Sequence, residues 1–132
     1  MSLSSEDRNS IVSYRIERAY STLEEAVMVT NQGRYNLAAN RLYYAVYYAA
    51  SALLISNERP VKTHSGMLSQ MNLLYVKTGI LTFDDGALIS QLFSLRQSSD
   101  YEDFKQVSKE LLDDLFPQVR ELVDKLKNLI KI

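Results

Sequence analysis

The chain has 132 residues, 46% of them hydrophobic, and a formal net charge of −1; this size and composition suit one domain with a real core and exclude a disordered segment. The balanced charge excludes a surface built to coat DNA or RNA indiscriminately, so any nucleic-acid binding must come from particular residues. With no cysteine and one histidine, His64, the chain has no disulfide, thiol nucleophile, cysteine-ligated zinc or histidine cluster, and neither a metal nor another cofactor is expected.

Ser4 or Ser5 can cap a first helix whose opening turn carries Glu6 and Asp7. Val12, Ile16, Ala19, Leu23, Ala26 and Val27 then form an apolar stripe at helical spacing, to about Asn31. Gly33 is a left-handed stop, and a second helix runs from roughly Arg34 to Asn57, closed by Pro60. The short connection makes these two helices antiparallel neighbours.

Thr63 is an N-cap for a third helix through Met67, Leu68, Met71 and Leu74, ending before Gly79. A fourth begins near Asp84 and Asp85 and buries Leu88, Leu92 and Leu95, with Ile89, Phe93, Arg96 and Asp100 on the adjacent stripe. After a break over residues 98–103, a last helix from about Ser108 carries Leu111, Leu115, Val119, Leu122, Leu126 and Leu129. Pro117 lies inside that pattern and is expected to kink it or split off its first turns. No strand-like alternation, glycine-rich phosphate loop or internal repeat interrupts the series. The expectation is one domain over residues 1–132, an all-α, up-and-down antiparallel bundle of about five helices. The N-terminus lacks a secretory pattern, and the longest apolar run, Leu42 to Ile55, is too short and too rich in tyrosine to span a bilayer. A cytoplasmic protein without a membrane partner is expected.

The second helix is unusual in carrying Tyr43, Tyr44, Tyr47 and Tyr48 among alanines. Ala38, Ala45, Ala49 and Ala52 share a small face that lets a neighbour approach closely, Leu42, Val46 and Leu53 lie beside it, and the tyrosines fill the remainder. Such a helix belongs in the middle of the bundle. Tyr43 and Tyr47 read mainly as packing or dimer surface, whereas Arg41 shares a stripe with Tyr44 and Tyr48 that is either a structural stack or a wall of a polar site.

Three polar groups stand out: Asn40 with Arg41, the run Lys62-Thr63-His64-Ser65-Gly66, and Arg96 with Asp100 and Tyr101. Each has a plain reading. Arg96 and Asp100 have the spacing of an i, i+4 surface ion pair, worth a few tenths of a kcal/mol, and His64 is a polar residue in the first turn of a helix, where the dipole disfavours its protonated form. The functional reading of the second group is an anion held by the helix start together with Lys62 and Thr63. A Ser65–His64 dyad is disfavoured, because adjacent helical residues point about 100° apart.

Together, Asn40-Arg41-Leu42-Tyr43-Tyr44-Ala45, Lys62-Thr63-His64-Ser65-Gly66 and Arg96-Gln97-Ser98-Ser99-Asp100-Tyr101, in this order and spacing, resemble one branch of the HEPN family of small bacterial and archaeal helical proteins. The resemblance spans about Glu17 to Phe104. It implies a helical bundle that pairs as a homodimer, often encoded beside a minimal nucleotidyltransferase, with many members acting as metal-independent RNases or toxins of toxin–antitoxin pairs. Those RNases place a histidine four to six residues beyond an arginine. Counting from Arg96, the eligible positions hold Tyr101, Glu102 and Asp103, so the chain departs from that motif. Tyrosine is a poor base and aspartate a poor acid near neutral pH.

The resemblance and the residues together give a first expectation: a dimeric, non-enzymatic or weakly active domain that binds a nucleotide or RNA phosphate. Its site residues are Asn40, Arg41, Tyr44, Lys62, Thr63, His64, Arg96, Asp100 and Tyr101, and its partner is a minimal nucleotidyltransferase or toxin–antitoxin system. One alternative is a metal-independent RNase toxin using Arg96 with His64 or Tyr101; another is a purely structural interaction module.

Overall fold

The computed structural model describes residues 3–99 and 106–131. It is an all-α bundle: α1 (Ser5–Asn31), α2 (Tyr35–Ser56), α3 (His64–Met71) running on into a π turn (Asn72–Val76), α4 (Phe83–Ser99) and α5 (Lys109–Leu129). Among the described residues no helix is long and apolar enough to cross a membrane.

Side chains at the helix ends explain most boundaries. The Ser4 hydroxyl accepts the Asp7 N–H at 3.1 Å and that of Ser108 accepts the Leu111 N–H at 3.1 Å, each satisfying a donor that a helix start leaves open. At the start of α4, Thr82 and Asp85 cap each other: the Asp85 N–H reaches the Thr82 hydroxyl, and the Thr82 N–H reaches the Asp85 carboxylate, both at 3.0 Å. Lys125 of α5 also donates to that carboxylate at 2.7 Å, tying the two helices. Burial pushes the Asp85 carboxyl up, but the bonds from Lys125 and Thr82 outweigh it and hold the group below its ordinary value.

α1 and α2 both end in a residue with left-handed backbone. Gly33 (φ 77°) closes α1, its N–H bonding the Thr30 carbonyl while that of Arg34 bonds Val29. The same arrangement closes α2, with Glu58 (φ 60°) in the glycine position and the Glu58 and Arg59 N–H groups bonding Ile55 and Leu54. Pro60 therefore follows a helix already terminated.

α2 is the centre of the bundle. Ala38, Ala39, Leu42, Tyr43, Ala45, Val46 and the run Ala49 to Leu54 are all buried, and the helix packs against α1, α3, α4 and α5. Alanines at Ala45 and Ala49 allow this many neighbours, since no long side chain holds them off.

Three details depart from the sequence reading. Val27 is 39% exposed, and Thr22 takes a buried position on α1 instead. Leu95 is only partly buried, while Ile89 is 2% exposed and joins Leu88 and Leu92 in the core. The third helix widens after Met71 into a π turn, marked by the Lys77 N–H bonding the Asn72 carbonyl. The wider turn seats Tyr75 and Val76 in the core and leaves Leu73 exposed.

Pro117 does not split α5. It lies on the exposed side, while Leu112 and Leu115 before it and Val119, Leu122, Val123 and Leu126 after it share one buried face. Burial of that face outweighs the backbone bond a proline removes.

Candidate functional site

The tyrosine side of α2 meets the first residue of α3 and the last turns of α4. Thr63 makes this possible: its hydroxyl accepts the Gly66 N–H at 2.9 Å, starts α3 at the next residue and sets His64 against α2. The Tyr43 hydroxyl then lies 2.6 Å from His64 Nδ1. The imidazole sits among three phenols, its ring centroid 4.7 Å from that of Tyr47, 5.5 Å from Tyr43 and 5.7 Å from Tyr44. From α4, the Arg96 guanidinium carbon stands 5.8 Å from the Tyr43 ring and 5.7 Å from the Tyr44 ring. Arg41 approaches the same Tyr44 ring at 5.2 Å.

This packing sets the protonation states. Burial, and then the Arg96 charge, hold the His64 imidazole below its ordinary value, so it is neutral near pH 7. Burial pushes the Tyr43 phenol well up, with Arg96 pulling the other way, and the phenol keeps its proton. The hydrogen bond joins the phenol to Nδ1 in either neutral tautomer, the phenol donating to Nδ1 or accepting from Nδ1–H. The result is a polar cluster, the His64 imidazole and the Arg96 guanidinium, carried on a wall of aromatic rings.

The residues singled out in sequence divide into four sets. Arg41, Tyr44, His64 and Arg96 converge on the Tyr44 ring. Asn40 and Thr63 support them. The Asn40 carbonyl oxygen accepts from Arg41 at 2.7 and 3.1 Å, fixing a guanidinium that also lies 3.8 Å from Glu25, and Thr63 caps α3. Lys62 is solvent-exposed, and Ser65, exposed with its hydroxyl 3.4 Å from that of Thr63, forms no dyad with His64. Asp100 and Tyr101 lie outside the described residues. Tyr43 and Tyr47, which the sequence marks mainly as packing or dimer surface, lie directly against His64. Their i, i+4 spacing was visible; that His64 falls on their side of α2 depends on where α3 crosses it. Among the described residues no three histidine or carboxylate groups gather where a metal ion could be held.

A family model described as the HEPN domain matches residues 12–129. The chain belongs to the HEPN family. Among HEPN relatives, a UPF0332 protein of Thermotoga maritima is 30% identical over 95% of both chains. A UPF0332 protein of Archaeoglobus fulgidus is 33% identical over 88% of this chain and 92% of its own. A protein of Methanocaldococcus jannaschii whose name marks it as a candidate toxin is 30% identical over 85% of this chain and 76% of its own. The HEPN match takes in the three helices that carry the cluster, α2, α3 and α4.

Proposed function

We propose that this HEPN domain binds a phosphate group of RNA or of a nucleotide at the Arg96–His64 cluster, as a homodimeric component of a toxin–antitoxin-type or nucleotidyltransferase-paired system, with little catalysis of its own. The observation that carries the reading is the Tyr43–His64 hydrogen bond. It occupies Nδ1; with the phenol as its donor, Nε2 carries the proton and the neutral imidazole is a donor beside the Arg96 cation, the arrangement an anionic oxygen needs. The same bond argues against a strong base. To take a 2′-OH proton, His64 would need a free lone pair, and in that tautomer Tyr43 occupies it. The toxin-type name of the Methanocaldococcus relative supports the cellular setting.

The test is equilibrium binding of uridine monophosphate, followed by tryptophan-free differential scanning fluorimetry or calorimetry. Saturable binding that Arg96→Ala weakens at least about tenfold, the scale of one charge-assisted hydrogen bond, supports it. Equal affinity in the variant refutes it.

One observation favours the second reading, a metal-independent RNase: the chain's one histidine sits beside Arg96 despite lying 32 residues earlier, so position in sequence alone does not remove a histidine from the site. Purified protein would then cleave RNA in EDTA, and His64→Ala and Arg96→Ala would each abolish the cleavage. Intact RNA after prolonged incubation with the wild type excludes this reading.

A further inference from the structure

The aromatic wall does not stop at Tyr44. One helical turn further along α2, the Tyr48 ring lies 6.1 Å from that of Tyr44 and has a guanidinium of its own, Arg18 of α1, at 5.2 Å. Arg41 stands at the same 5.2 Å from Tyr44. A phenol–guanidinium unit is thus repeated one turn apart, with arginines from two different helices. Arg18, Arg41, Tyr44 and Tyr48 are all only partly buried, so both units reach solvent from the edge of the core. The Glu25 carboxylate faces both cations, 3.8 Å from Arg41 and acting on Arg18. Among the described residues this sets two cations of the strip against one carboxylate.

Resting on the phosphate reading of the Arg96–His64 cluster, we infer that Tyr48 and Arg18 form a second nucleotide subsite, so that the ligand is a single strand of several nucleotides rather than a mononucleotide. Each ring is a surface on which a base can stack, and each guanidinium has five N–H groups, of which Arg41 gives two to Asn40 and Arg18 bonds Tyr48, so that others can meet a phosphate. The repeat of one helical turn, about 5.4 Å, is on the scale of the phosphate repeat in an extended strand. A duplex does not fit these rings, because its bases already stack on one another. Stacking on aromatic side chains is the means by which single strands are held without reading their sequence.

The experiment compares uridine monophosphate with a uridine hexanucleotide on the full chain. The hexanucleotide should bind more tightly. Tyr48→Ala and Arg18→Ala should each weaken hexanucleotide binding at least about fivefold, the low end of stacking on one aromatic side chain, and leave uridine monophosphate binding unchanged. Tyr48→Phe, which keeps the ring, should retain hexanucleotide affinity, and it tests the same claim if Tyr48→Ala does not fold. If both probes bind equally and neither variant discriminates, the second subsite is wrong while the phosphate reading stands. If neither probe binds the wild type, both fail. If the variants alter only the oligomeric mass in light scattering, the strip is a surface between copies of this chain, and the inference is overturned.

Discussion

Tyr43 and His64, brought together from α2 and the first turn of α3, share a 2.6 Å hydrogen bond between the phenol oxygen and Nδ1. Tyr43 is fully buried, so its hydroxyl has to be satisfied within the protein. Tyr43→Phe removes the donor and keeps the ring. Thermal or denaturant unfolding should show a loss of about 1 kcal/mol, the net worth of one such bond. Long-range 1H–15N spectra should show the His64 tautomer no longer held as Nε2–H. Unchanged stability and tautomer would mean the bond does not form.

His64 is the chain's single histidine, so its titration by NMR is unambiguous. Burial, with Arg96 as the second cause, lowers its pKa, and the midpoint should fall below the ordinary 6.5. Arg96→Ala should raise the midpoint but not restore it fully, because burial is the larger cause. The linked effect on stability has a definite sign. With the folded pKa depressed, the unfolded chain takes up the proton first as pH falls; the contribution is therefore present above pH 6.5 and is lost as pH drops from there through the folded value. Stability that instead fell on raising the pH from 6 to 7.5 would contradict this arrangement.

Glu58 occupies a backbone conformation that suits glycine, at φ 60°. Its compensation is an ion pair with Arg8 at 3.1 Å, in which the glutamate is largely exposed and the gain small. Glu58→Gly should therefore stabilise the fold by about 1 kcal/mol, while Glu58→Ala, which keeps the strained backbone and loses the ion pair, should not. Chemical denaturation of the two variants separates the effects.

Pro117 sits on the exposed face of an unbroken α5. Replacement by alanine restores a backbone N–H to the helix and removes the ring clash, so Pro117→Ala should raise the melting temperature, by up to about 3 kcal/mol in stability. A destabilised variant would mean that the proline makes a packing contribution not evident from its exposure.

The helices were legible because their signals are local. Ser4, Thr63 and Ser108 cap where capping residues belong, Gly33 ends α1, and apolar spacing marks most of each buried face. The π turn and the Glu58 terminus were not, since nothing in composition distinguishes a widened turn or a left-handed glutamate. The site was half legible. Arg41 with Tyr44 follows from i, i+3 spacing on one helix, whereas the meeting of His64 with Tyr43, Tyr47 and Arg96 depends on how α3 and α4 cross α2. A tyrosine-rich stripe reads as core because it is one here: Tyr43 is at once a core residue and the partner of the imidazole.

The measurement that bears most directly on the central claim is calorimetric titration of uridine monophosphate into the wild type, Arg96→Ala and His64→Ala, with circular dichroism confirming that each is folded. The account predicts binding by the wild type and at least about a tenfold loss in Arg96→Ala, with a smaller loss in His64→Ala, which removes a neutral donor rather than a charge. Folded variants that bind as tightly as the wild type would contradict it.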